Sequence, residues 1–305
     1  MSNDVSSDAR RGISIVVLGR RCPFTALPFE RLLATGVEIR ALILSSTAPM
    51  GNAVRLRRYR PSIGFGNVPD SIERTAGEHG VPLYEVRRPL GAQLRSVLEQ
   101  HQPDLLVTAC FPWRIPARIR EVAHLGGANL HPSPLPQFRG PDPLFWAYRS
   151  GCRNWGTTVH MLGDAFDAGA ILAQSGLLIP DEMPGDELER QAALLGSDLL
   201  LEVISRAGGE ALHGSSQNET EASYQTWPNA DQLIVDHSWT VQHVINFVIG
   251  VRPLGYEPLV DTASGMRVVE SARLADREAS GGEAWLDEQT VRMSFADGVI
   301  EFSVA

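Results

Sequence analysis

The chain has 305 residues and no lysine, because all 27 of its basic residues are arginine. That excludes chemistry built on a lysine amine: a pyridoxal-phosphate Schiff base, a phosphate-cradling P-loop and the kinase strand lysine. A net charge of −9 weighs against a nucleic-acid partner, and no run of about 18 apolar residues exists to span a membrane.

The length allows one large domain, or one of ordinary size plus a smaller one. Residues 1–12, "MSNDVSSDARRG", are polar and lack the apolar segment of a secretory signal, so they read as a disordered leader of a cytoplasmic protein. The three cysteines, Cys22, Cys110 and Cys152, are widely spaced and form no C-x-x-C pair. Neither a disulfide framework nor a metal site is expected from them.

Along the chain, "ISIVVL" at 13–18 predicts a buried strand, "ALPFERLLATG" a helix closed by Gly36, and "VEIRALIL" from Val37 a second strand. A third helix–strand pair ends at Val86. "GAQLRSVLEQHQ" is a helix with Leu94 and Leu98 on one face, "DLLVTAC" a strand and "RIPARIREVAHLG" a short helix. The stretch "NLHPSPLPQFRGPDP", Asn129 to Pro143, is so rich in proline that it reads as a loop. Strands alternating with helices imply an α/β, Rossmann-like, mostly parallel sheet with helices on both faces. Such sheets bind ligands beyond the carboxyl ends of their strands, where Cys110–Pro116 and Asn129–Pro136 both fall.

Further on, "GTTVHML" and "AILAQSGLLI" are strands around the turn "DAFDAG". A long helix follows with Asp186 as cap, Glu189 completing a capping box and Gly208 at its end. Residues 208–223 have no periodic apolar face and read as a linker. Residues 224–305 form a small β-rich, barrel-like domain with one helix, "SWTVQHVINFVIG". The expected organisation is therefore a leader at 1–12, a catalytic domain at 13–207, the linker, and the small C-terminal domain.

Three polar side chains on this framework could share a cleft: Asn129, His131 and Asp167. An amide can donate to a developing oxyanion, an imidazole can move a proton near neutral pH, and a carboxylate can orient or charge it. A histidine beside a proline turn and an aspartate before glycine are also ordinary loop formers. Spacing alone leaves both readings open.

The segment "NLHPSPLPQFRG" resembles the N-x-H-x-S-L-L-P loop of the 10-formyltetrahydrofolate-dependent formyltransferases. "GTTVHMLGDAFDAGAILAQ" is similar to their G-x-T-x-H and D-x-G-x-I segment, and "PDLLVTACFPWRIP" to the strand and folate loop that precede them. The resemblance covers nearly the whole chain, because the methionyl-tRNA and aminoarabinose enzymes also carry a small OB-like barrel after a linker. It implies a cytoplasmic N-formylating transferase that uses 10-formyltetrahydrofolate as one-carbon donor and co-substrate, with Asn129, His131 and Asp167 as catalytic trio. By the same resemblance the folate lies along Phe111–Pro116, with Phe111, Trp113, Arg114 and Ile115, and Asp164 downstream, as its contacts. Core packing is the other reading of Trp113. No metal is implied.

Two departures bear on the acceptor. Pro134 stands where the family loop has its first leucine, and "PDPLFWAY" follows Arg139-Gly140 where the methionyl-tRNA enzymes read differently. Arg55, Arg57, Arg58 and Arg60 could contact a tRNA, clasp a nucleotide-sugar diphosphate, or form a solvated face. From Gln225 onward five arginines face twelve acidic residues, the wrong sign for a module lying along tRNA. The expected acceptor is a small-molecule amine, an amino sugar or amino acid. Methionyl-tRNA formylation and hydrolysis of the donor are the alternatives, and a homodimer is left open.

Overall fold

β-Branched apolar runs become buried strands, and the amphipathic segments between them become helices. The computed structural model of the chain describes residues 12–46, 54–57, 71–207, 211–276 and 282–305. In order come β1 (Ser14–Gly19), α1 (Pro23–Ala34), β2 (Glu38–Ser45), β3 (Val54–Arg57), α2 (Ser71–Glu78), β4 (Leu83–Val86), α3 (Ala92–His101) and β5 (Leu105–Ala109). Then follow α4 (Ala117–Arg120), β6 (Gly127–His131), α5 (Pro143–Arg149), β7 (Asn154–Met161), β8 (Ile171–Leu178) and α6 (Gly185–Ala207). The strands make one eight-stranded sheet in the order β3-β4-β2-β1-β5-β6-β7-β8. Its middle, β4 through β6, is parallel, whereas β3 on β4 and β7 on β6 are antiparallel.

Every residue of β1 and of β5 is buried, as expected for strands covered on both faces. Val16 and Leu18 of β1, Ala41 and Ile43 of β2 and Leu106 of β5 pack with Leu94 and Leu98 of α3 and Ile119 of α4. Ile15, Val17, Leu42 and Leu44 alternate with them and are equally buried. They face the other side, where α1 and α2 pack on β2 and β4. The mostly parallel, Rossmann-like sheet expected from the sequence is what folds.

Several local expectations change. Asn129 and His131 are the third and the last residue of strand β6 and not loop residues, because the prolines begin only at Pro132 and leave the ladder to β7 intact. "PDPLFWAYR" contains helix α5, since Pro143 sits in its first turn, where a missing N–H costs nothing. Asp186 lies inside the first turn of α6, which starts at Gly185; its carboxylate accepts from the Glu187 N–H at 3.0 Å. Arg55 and Arg57 belong to edge strand β3. Arg58, Arg60, Gly208 and residues 1–11 of the leader lie outside the described residues.

By contact the chain separates into two units. One comprises the described residues up to His131 together with Thr158–Ser175 and Ala193–Asn218; the other comprises Pro132–Thr157, Gly176–Ala192 and Glu219–Ala305. The second unit adds α7 (Ala230–Leu233), α8 (Val241–Val251), β9 (Leu259–Thr262), β10 (Gly265–Asp276), β11 (Ala284–Trp285), β12 (Thr290–Phe295) and β13 (Gly298–Val304). These strands form an antiparallel sheet in the order β11-β12-β13-β10-β9. β10 pairs with β9 through its first residues and with β13 through its last. That switch curls the sheet into a half-barrel.

The core of this unit joins Phe145 and Tyr148 of α5, Val244, Phe247 and Val248 of α8, and Val291, Ile300 and Phe302 of the sheet. A Cβ on Gly250 would lie 2.2 Å from the Tyr148 ring, so α5 and α8 can approach this closely only over glycine. Among the described residues no helix is long and apolar enough to cross a membrane.

Candidate active site

Strand register brings the polar residues together. Thr108 of β5 stands opposite Asn129 of β6, which stands opposite His160 of β7, so the three form a row across adjacent strands. The Thr108 hydroxyl donates to Asn129 Oδ1 at 2.6 Å. Asn129 Nδ2 lies 3.0 Å from His160 Nε2, and His160 Nδ1 lies 2.9 Å from the Met161 carbonyl. A carbonyl only accepts, so His160 carries its hydrogen on Nδ1 and Nε2 accepts from the amide. Thr108 on one side and His160 on the other thus fix which way the Asn129 amide faces.

His131 is two residues past Asn129 on the same strand and therefore on the same face. It is 5% exposed. Asp167 reaches the row from the turn between β7 and β8. That turn is tight: Asp167 has φ +55°, and a Cβ on Gly169 would fall 1.8 Å from the Met161 carbonyl oxygen. Gln217 clasps the turn, its amide donating to the carbonyls of Asp167 and Gly169 at 2.7 Å each. Asp167 Oδ1 then lies 3.4 Å from Asn129 Nδ2, 3.5 Å from His160 Nε2 and 3.7 Å from His131 Nδ1. The sequence-predicted trio converges on one carboxylate oxygen.

Beside this cluster is a cavity lined by Phe111, Trp113, Arg114, Ile115, Leu162 and Phe166, with Thr108, Asn129, His160 and Asp167 at one side. Phe111 and Trp113 meet edge to face, 5.5 Å between ring centres. Both also pack on the sheet core, so Trp113 serves core and cavity wall together. Asp164 lies apart from the lining, with its side chain 84% exposed. It accepts from Arg120 at 2.9 Å, and that guanidinium holds its carboxyl below the usual range. Arg120 also donates to the carbonyls of Ile115 and Gly163 at 2.8 Å, and Arg114 to the Asp164 carbonyl at 2.7 Å. Two arginines strap the 111–116 loop to the 163–164 turn, with Asp164 as an anchor on the rim.

Thr108, His160, Arg120 and Gln217 escaped the sequence reading. His160 sits in the quoted "GTTVHML", and Thr108 is the hydroxyl in an otherwise apolar strand, both visible signals. Arg120 and Gln217 carry none. The 211–223 segment has neither helix nor extended strand, yet it is anchored. Ser215 pairs with Ile171 through backbone bonds of 2.8 and 2.9 Å, and Glu219 accepts from Arg139 at 2.7 and 2.9 Å. Arg139 ties its loop down through that pair. Ser133 closes the proline loop from within, donating to the Gln137 carbonyl at 2.9 Å.

The formyl transferase family model matches residues 25–204, spanning every element of this cluster except Gln217. The chain belongs to the formyl transferase family. It is an enzyme that transfers a formyl group. The methionyl-tRNA formyltransferase of Lactobacillus johnsonii is 25% identical over 240 residues, covering 79% of this chain and 73% of the relative. Among solved structures, an N-formyltransferase from Helicobacter canadensis, in complex with folinic acid and dTDP-3-aminofucose, superposes with a TM-score of 0.67 at 15% identity. It covers 97% of this chain and 100% of its own. HypX from Aquifex aeolicus, in complex with tetrahydrofolic acid, gives a TM-score of 0.63 at 15% identity over 96% of this chain. This formyltransferase spans only 44% of the HypX chain. At 15% identity both structures speak for the fold alone.

Proposed function

We propose that this formyltransferase moves the formyl group of 10-formyltetrahydrofolate onto the amine of a small molecule, an amino sugar or amino acid, with Asn129, His131 and Asp167 as its catalytic residues. The observation that carries the reading is the convergence of these three side chains on Asp167 Oδ1, next to an aromatic cavity. The acceptor's neutral amine attacks the formyl carbon, and the carbonyl oxygen becomes an oxyanion. Asn129 gives one N–H to His160 and the second to Asp167 at 3.4 Å; the second, the longer bond, is the one that an oxyanion at the cavity edge would take over. A fixed donor of this kind contributes roughly 10²–10³ in rate. His131 adds a second donor when protonated, a state that the carboxylate 3.7 Å away attracts. Asp167 orients His131 and helps the proton leave the new ammonium for N10 of the departing tetrahydrofolate. Phe111, Trp113 and Ile115 offer an apolar wall for the pterin, with Arg114 and Asp164 acting through the straps that hold the loop.

A small acceptor is favoured by charge. From Gln225 onward there are five arginines, and three are already engaged. Arg273 and Arg292 pair with Glu301, and Arg252 donates to the Val269 carbonyl. Little positive charge remains there for phosphates. The methionyl-tRNA enzymes among the relatives favour tRNA as a second reading.

The test is release of tetrahydrofolate from 10-formyltetrahydrofolate, alone and with nucleotide-linked amino sugars, hydroxyornithine or methionyl-tRNA. Release that requires a small amine, and falls by about 10²–10³ in Asn129→Ala, is the expected result. Release that requires methionyl-tRNA overturns the small-acceptor assignment. Release without any amine replaces transfer by hydrolysis.

A further inference from the structure

Two thiols stand at the same sheet edge as the site, and the mechanism uses neither. Gly19 of β1 pairs with Ala109 of β5, so the segments leaving these strands start side by side. Cys22 is the N-cap residue of the 12-residue helix α1. Cys110 is the first residue after β5, with its backbone in the left-handed region at φ +55°. Thr25 links them: its hydroxyl donates to the Ala109 carbonyl at 2.9 Å and lies 3.5 Å from Cys22 Sγ. Thr25 thus sets Cys22 Sγ beside the backbone that leads into Cys110, and both residues are half-buried.

The electrostatics make Cys22 a nucleophile. The hydrogen bond from Cys110 is the largest influence and lowers its pKa to about 5; burial opposes this, while Thr25 and the charge of Arg20 assist. An ordinary cysteine, with a pKa of about 8.5, is almost wholly protonated at neutral pH. These influences favour the thiolate of Cys22, and Cys110 follows the neighbouring strand end as a second thiol able to resolve an oxidised form.

We propose that Cys22 and Cys110 form a reversible disulfide that draws the Phe111–Pro116 loop out of its working position. With hydrogen peroxide as oxidant, the Cys22 thiolate attacks one peroxide oxygen, the O–O bond breaks, and water leaves after proton uptake. Cys110 then attacks Sγ of the Cys22 sulfenic acid; the S–O bond breaks, a second water leaves and the S–S bond forms. Two thiols supply two electrons, and one peroxide becomes two waters. A small dithiol reverses the change by thiol–disulfide exchange. An S–S bond of about 2.05 Å is far shorter than a hydrogen-bonded pair of sulfurs. Closing it pulls Cys110 toward α1 and carries Phe111, the next residue and part of the cavity wall, away from the cavity.

The link to donor binding rests on the proposed formyl-donor reading, so the experiment has two arms. In the first, folded protein is treated with hydrogen peroxide and digested without reductant. The expected product is a peptide pair joining Cys22 to Cys110, two hydrogens lighter than the separate peptides, present in Cys152→Ser and absent in Cys22→Ser. Failure of that pair to form in the folded wild type overturns the proposal, whatever the enzyme's substrate. In the second, tetrahydrofolate binding is measured by calorimetry on the reduced, oxidised and dithiothreitol-restored protein. Weakening by about tenfold or more, equal to about 1.4 kcal/mol, with recovery on reduction, is expected. A cross-linked protein that binds as tightly as the reduced one also overturns it. Reduced protein that does not bind tetrahydrofolate sinks the donor reading and with it the loop effect, while the first arm still decides the thiol pair.

Discussion

Each of the two units carries a polar row that crosses three adjacent strands. In the parallel sheet the row is Thr108, Asn129 and His160; in the C-terminal sheet it is Arg273, Glu301 and Arg292. Glu301 is gripped from both sides, by Arg273 with its Nε at 2.9 Å and by Arg292 at 3.0 Å. Arg273 and then Arg292 hold its carboxyl below the ordinary range. A guanidinium has no proton to give up near neutral pH, so that row is fixed in charge. The row around Asn129 is a hydroxyl, an amide and an imidazole joined by hydrogen bonds, and it borders the carboxylate of Asp167. The same three-strand architecture serves as a fastening in one sheet and, on the proposed function, as the support of a reaction centre in the other.

The largest expected effect tests the reactive side of that contrast. Asp167→Asn keeps the shape and removes the charge, and should lower kcat/KM by about 10³-fold with the thermal unfolding midpoint little changed. A large drop in that midpoint would make Asp167 a fastening like Glu301. Next comes Thr108→Val, which deletes the donor to Asn129 Oδ1 while preserving shape. One hydrogen bond of about 1.4 kcal/mol translates to roughly tenfold in kcat, with the KM for either substrate little altered, and Thr108→Ser should restore most of the rate. Loss through KM alone, or no rescue by serine, would deny Thr108 its positioning role.

The smallest effect on catalysis is expected from Glu301→Gln, which should leave kcat/KM within about twofold and lower only the unfolding midpoint. Its pH dependence follows from the sign of the shift. A carboxyl lowered by folding stabilises fully above its ordinary pKa of about 4.3 and loses that contribution as pH falls through the lower folded-state value. The gap in midpoint between wild type and Glu301→Gln should therefore narrow on acidification below about pH 4.3. A gap that widens there would reverse the assigned role of Arg273 and Arg292.

What the sequence made legible follows from how each feature is encoded. β1 and β5 are continuous apolar runs, and α3 shows Leu94 and Leu98 one turn apart, so local pattern alone reveals them. Asn129, His131 and Asp167 were legible through motif and resemblance. Thr108 and His160 were visible as polar residues in their strands, but their roles were not, because those depend on cross-strand register, which no local pattern specifies. Helix α5 hid behind Pro141 and Pro143, residues that open a helix as readily as they break one. β3 hid inside a charge run, although Val54 and Leu56 alternate with Arg55 and Arg57 as an edge strand would. Arg120 was invisible, because its straps join carbonyls that are 43 and 5 residues distant in sequence.

The clasp on the Asp167 turn sets a limit on how short a working fragment can be made. A boundary drawn at the end of the family match, residue 204, or at the end of α6, Ala207, retains every member of the trio. It discards Gln217, whose single amide holds both carbonyls of the turn, and Ser215, which pairs with Ile171. A truncated gene product would therefore keep the three proposed catalytic residues and lose the clasp on the turn that presents one of them. A boundary after Asn218 keeps the clasp but strips Phe145 and Tyr148 of α5 of their partners in α8 and the C-terminal sheet.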